Sequence, residues 1–205
     1  MKKTSFCIYL SIGLLVMAFR VPCVAQAAAP PQSQPQPQPQ LHIPAQYEAV
    51  AFGQAGSAAG KTFGLTIYVD GLTSDGETEE LVAVLKKKGQ NGLLKVVEDM
   101  KDKGRVRPRA SVGTGMRVVR VRPTRDGGER IVLVTDRPIS IGEVYGNTRS
   151  RDYPFAVVVL NVDKNGKGTG TFAPLCWLRF NKKNELEIEH YGQKPWRLAN
   201  VYRQK

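Results

Sequence analysis

Histidine, cysteine and acid are all scarce in this chain of 205 residues. His42 and His190 are its only histidines, and they lie too far apart in sequence to suggest a zinc or haem ligand set. No motif for a metal, a nucleotide or another cofactor stands out, and no catalytic residue can be named from a constellation of known spacing. Acidic side chains number 18 against 30 lysines and arginines, a net charge of +12, so the partners that suit the chain are anionic. Long apolar runs are missing too. The longest, from Phe6 to Phe19, is broken by Ser11 and Gly13 and falls short of the roughly 20 residues a membrane-spanning helix needs.

That run sits between Lys2-Lys3 and the small-residue stretch Ala25-Gln26-Ala27. A basic start, a short apolar segment and small side chains before a cut define a secretory signal peptide over residues 1–27, cleaved after Ala27. A lipidated Cys23 would need a small residue before it, and Pro22 stands there. The expectation is an exported protein, periplasmic or secreted, with no transmembrane span in the mature form. Cleavage removes Lys2, Lys3 and Arg20 and no acid, leaving 27 basic against 18 acidic side chains, a net charge of +9. It also removes Cys7 and Cys23. Cys176 then stands alone, no internal disulfide can form, and the fold must rest on its hydrophobic core.

Residues 28–61 read as a linker. Pro30 to Gln40 is a Pro/Gln tract suited to extended polyproline II, and Ala51 to Gly60 is small and flexible. Ordered structure is expected from near Thr62, with residues 62–205 forming one domain. Phe63, Leu65, Ile67 and Val69 alternate with polar neighbours, the period of a half-buried strand. Thr73, Ser74 and Asp75 offer caps for a helix that closes at Lys86-Lys87-Lys88 before Gly89. A second helix is expected from Gly92 to Lys103. Strands are then predicted at 116–122, 130–135, 155–162, 169–180, 185–191 and 196–202, with a primed turn at Asn165-Gly166 and a bulge or edge at Pro174. The fold class expected is α+β: an N-terminal strand and two helices followed by a mainly antiparallel β-meander, with partial closure into a barrel as one option.

The run RIVLVTDRPISIGEVYGNTRSRDYPFAVVVLNVDKNGKGTG, with GRVRP before it and YGQKPWRLANVY after it, resembles a family of exported bacterial proteins with no assigned activity. The resemblance spans about Thr62 to Tyr202. It implies export and a single domain, and carries over no site residue.

The clearest hint of function is electrostatic. Eight arginines lie between Arg105 and Arg130, with no lysine and only Asp126 and Glu129 as acids. The guanidinium fork matches phosphate and carboxylate. Arg117, Arg120 and Arg122 are therefore the first candidate anion-binding residues, and Arg149 and Arg151, in the long connection before Pro154, are the next. A merely solvated basic surface explains the same residues equally well. The anions expected are a lipid, a glycolipid, a cell-wall polymer or an acidic protein; export and the lack of a recognition motif argue against nucleic acid. A second reading is a partly closed barrel holding a small ligand, lined by Trp177, Phe180 and Trp196. A third is a hydrolase using carboxylates such as Asp70, Asp136 and Asp152. Cys176 reads as a buried inert thiol and His190 as a structural histidine rather than as a nucleophile–base pair.

Overall fold

Alternation of apolar and polar residues governs most of this chain, and the result is a sheet that closes on itself. The computed structural model describes residues 42–109, 111–139, 141, 153–180, 186–190 and 194–204. Ten strands appear among them: β1 (Ala45–Phe52), β2 (Thr62–Val69), β3 (Gly104–Pro108), β4 (Thr114–Met116), β5 (Val118–Pro123), β6 (Glu129–Thr135), β7 (Phe155–Val162), β8 (Lys167–Phe180), β9 (Leu186–His190) and β10 (Trp196–Arg203). Every pairing is antiparallel. The order is β4-β3-β2-β1-β10-β8-β7-β6-β5, with β9 added to β8.

The two ends of that order are β4 and β5, which only Arg117 separates in the chain. One strand therefore crosses from one sheet edge to the other and brings the edges together. The Arg117 amide donates to Val134 O at 3.0 Å and the Lys103 amide to Met116 O at 2.8 Å. Further along, the free edge of β5 is taken by the segment after β2. The Thr73 amide donates to Val119 O at 2.8 Å, and the Val119 amide donates to Thr73 Oγ1 at 2.9 Å. These bonds engage edge groups that an open sheet would leave unpaired.

One face of the strands β1 to β8 and β10 fills the interior. Tyr47, Leu65, Ile67, Val106, Met116, Val119, Ile131, Leu133, Val158, Leu160, Phe172, Trp196 and Leu198 form a single buried cluster. Phe63 packs edge-on to Trp196, with ring centroids 4.9 Å apart. On β7 the opposite residues Phe155, Val157 and Val159 belong to a second cluster. There they meet the one α-helix among the described residues, α1 (Asp75–Glu98), through Leu81, Leu85, Leu93 and Val97. Both faces of β7 are buried, which is why its sequence is an unbroken apolar run.

The α+β expectation is overturned by this architecture: the protein is mostly β, a nearly closed antiparallel barrel with one helix on its outer face. The two predicted helices run as one element, kinked at Gly89 (φ 65°, ψ −167°) and ending at Glu98 rather than Lys103. Ser74 caps it in a reciprocal capping box with Glu77. Three strands are not among those expected: β1, β3 and, apart from Met116, β4. β1 lies inside the segment read as linker, and β3 inside the arginine-rich span. The turn after β7 also differs. Gly166 alone takes positive φ there, and Asp163 Oδ1 accepts from the Asn165 and Lys167 amides at 2.8 and 2.9 Å. Opposite Pro174 the β7–β8 register shifts, as a bulge requires. Residues 1–27, expected to be a signal peptide, and the Pro/Gln tract lie outside the described residues.

Candidate functional site

The barrel has one outer face that α1 covers and another left to solvent. On β3, Gly104, Val106 and Pro108 are buried while Arg105 and Arg107 alternate with them outward, and Arg109 follows, also exposed. The sheet register then sets their neighbours. Arg105 stands opposite Tyr68 and Arg107 opposite Thr66 on β2, Tyr68 opposite Gln46 and Thr66 opposite Glu48 on β1, and Glu48 opposite Tyr202 on β10. The outward row continues to Lys167, the partner of Tyr202 on β8. Two outward rows further along β1, past Val50, Phe52 stands opposite Arg197.

Arginine and aromatic side chains thus share one surface. The Arg107 guanidinium lies 5.7 Å from the centre of the Tyr68 ring, a cation–π contact. Tyr202 is 45% exposed and Phe52 38%. Glu48 is the only carboxylate on the outward rows of β1, β2, β3 and β10, and it accepts hydrogen bonds from Gln46 Nε2 (3.1 Å) and Thr66 Oγ1 (3.2 Å). Among the described residues, Arg105, Arg107, Arg109, Lys167 and Arg197 form no ion pair.

Two of the three first candidates, Arg117 and Arg120, are engaged within the fold. Arg117 donates to Met100 O at 2.7 Å and pairs with Asp102 (3.1 Å) and Asp136 (3.7 Å). Arg120 donates to Thr73 O at 2.7 Å and to Asp75 at 2.6 Å. Both fasten the ends of α1 to the barrel seam. Arg122 is exposed and lies directly opposite Arg130, two like charges side by side on β5 and β6. Arg149 and Arg151 lie outside the described residues. The alternation Arg105-Val106-Arg107-Pro108-Arg109 was the available signal for the open face, and it passed unread as a strand because it holds so few apolar residues.

Trp177, Phe180 and Trp196 do not line one cavity. Trp196 is fully buried in the barrel interior. Trp177 packs edge-on to Tyr153 at 6.3 Å. Phe180 lies on the helix side with Lys86 5.1 Å from its ring centre. Of the three carboxylates, Asp70 is exposed, and Asp152 lies outside the described residues. Asp136 is bound by Arg137, Thr135 and Arg117. Its burial alone would raise its pKa, but the Arg137 hydrogen bond and charge, with help from Thr135 and Arg117, bring it below the ordinary value.

Cys176 and His190 are brought together by the structure as cross-strand partners on β8 and β9. The arrangement still does not make a nucleophile. The thiol is fully buried, donates to Phe155 O at 3.5 Å, and burial pushes its pKa up to about 12. Burial also lowers the pKa of His190. Among the described residues no group of three or more His, Cys, Asp or Glu is placed to hold a metal ion, and no helix is long and apolar enough to cross a membrane.

Set against known protein families, curated proteins and solved structures, the chain matches none.

Proposed function

We propose that this chain is a non-catalytic binding domain that docks an anionic polymer across the open sheet face of β10, β1, β2 and β3. The observation that carries this reading is the exposed trio Arg105, Arg107 and Arg109, which stands without an acidic partner among the described residues on a face with one carboxylate. Each guanidinium can grip a phosphate or carboxylate in two-pronged fashion. Tyr202 and Phe52 offer apolar ring surface between the charges. A row of cations spread over neighbouring strands suits a chain-like partner better than a small anion. Taken with the leader expected over residues 1–27, such a polymer would belong to the bacterial envelope, as a phosphorylated or carboxylated glycan does.

The test is titration of the purified chain with polyphosphate, polygalacturonate and anionic vesicles across a salt series. Each basic residue near an anionic surface is worth about 1 kcal/mol, so Arg105→Ala/Arg107→Ala/Arg109→Ala should weaken binding about 100-fold at low salt. The affinity of the parent chain should fall steeply with salt. Binding that ignores salt, or that survives the triple substitution, refutes the reading.

A further inference from the structure

A second site, independent of the polymer face, lies at one end of the barrel. Three inward positions converge there. Tyr47 is on the buried face of β1, and its register partner on β10 is Arg203. Glu129 begins β6 on the same parity as the buried Ile131 and Leu133. Two hairpins of one design frame the opening. In each, a glycine at positive φ, Gly127 or Gly166, donates back across the turn, to Thr124 O at 3.1 Å and Asp163 O at 2.9 Å. The Arg203 amide donates to Gly166 O at 2.8 Å and ties the second hairpin to β10. Between these parts is a depression of about 360 Å³, lined by Tyr47, Glu129, Asp163, Lys164 and Arg203 among others.

Its chemistry is unusual for a barrel end. Tyr47 is fully buried, yet its hydroxyl has no hydrogen-bond partner among the described residues. A buried hydroxyl without a partner is a costly feature that a bound polar group would relieve. Burial, and then the charge of Glu129, push the phenol pKa up to about 12, so the group remains a donor. Arg203 donates to His42 O at 2.6 Å and lines the depression with a guanidinium that carries five N–H donors in all. Burial raises the pKa of Glu129, against the opposing pull of Arg203. Asp163 Oδ1 is committed to its own turn, which leaves Glu129 as the main acceptor.

Two carboxylates and two cations in one small polar depression do not complement a simple anion or a simple cation. We infer that the barrel mouth binds a small zwitterion of amino-acid or dipeptide size. Its carboxylate faces Arg203 and Lys164, its ammonium faces Glu129, and the Tyr47 hydroxyl donates to a ligand oxygen. The volume suits a molecule of that size.

The experiment is calorimetric titration of the full chain with alanine and alanylalanine, beside N-acetylated and C-amidated alanylalanine. The dipeptide or the amino acid should bind, and blocking either terminus should weaken binding at least about tenfold, as loss of a charge-assisted contact does. Tyr47→Phe should weaken binding about fivefold, the worth of one hydrogen bond, with an unchanged circular dichroism spectrum. The comparison of blocked and free ligands needs no variant, so a folding defect cannot obscure it. Failure of both free ligands to bind, equal binding of the blocked forms, or full affinity in a folded Tyr47→Phe chain would each overturn the inference. Polyphosphate binding should be untouched by Tyr47→Phe, which separates failure here from failure of the polymer reading.

Discussion

Arg120→Ala separates an arginine that holds the fold from one that meets a partner. The Arg120 side chain is 24% exposed and reaches from β5 to the start of α1. Its bond to Thr73 O, at 2.7 Å, lies in the partly buried seam where Thr73 also pairs with Val119. A hydrogen bond from a charged donor in such a place is worth about 1.5–3 kcal/mol. Its pair with Asp75, at 2.6 Å, contributes far less, because Asp75 is 86% exposed and water screens the charge; about 0.5 kcal/mol is reasonable. Against this, Arg120 Nε is already buried without a partner, and losing it relieves a penalty. The net loss should be about 2 kcal/mol, or a fall in Tm of about 4–8 °C for a domain of this size. Urea unfolding followed by tryptophan fluorescence would read it, as a lower midpoint at unchanged slope. Polyphosphate affinity of the folded variant should stay near that of the parent. An unshifted midpoint together with a tenfold or greater loss of binding would refute the reasoning and return Arg120 to the binding surface.

Three further outcomes follow from the structure. The Glu77 pKa is held down to about 2, first by the Lys103 hydrogen bond at 2.8 Å and then by the Ser74 cap. Its folded pKa lies below its unfolded value, so its contribution is present above about pH 4.5 and is lost as pH falls toward about 2. With the side chain 41% exposed, that contribution is about 1 kcal/mol after allowance for screening, and Glu77→Gln should flatten stability across that window in acid unfolding. Cys176 should resist iodoacetamide at pH 8 in the native state and react at the rate of unfolding; rapid alkylation of the folded chain would show a thiol more accessible than the buried one described. Gly168→Ala drives its new Cβ into the Asn161 carbonyl oxygen on β7 and should cost about 2–3 kcal/mol, whereas Gly76→Ala, in open space on α1, should raise stability by about 0.5–1 kcal/mol, both measured by urea midpoint.

Local pattern alone determined a good part of this protein. Period-two alternation marked β2, apolar runs marked β6 and β7, and the cap candidates Thr73, Ser74 and Asp75 with the stop at Gly89 marked where α1 begins and breaks. Those signals act through neighbouring residues, so a linear reading catches them. β1 escaped because its buried face is three alanines, Ala45, Ala49 and Ala51, with Tyr47 as the one large side chain, which suffices where Trp196, Phe172 and Phe63 already fill the interior. β3 escaped because its outward arginines outweigh its few apolar residues. Barrel closure was decided only in three dimensions. It depends on β1 pairing with β10 from opposite ends of the chain, and on a single strand crossing the seam at Arg117. The fate of each arginine was decided there as well. An identical side chain becomes a fastener at Arg120 and a free cation at Arg107, because one points at the carbonyl of Thr73 and the other lies on a solvent-facing tyrosine ring. Charge is written in the sequence, but whether that charge is already satisfied depends on which distant groups the register brings beside it.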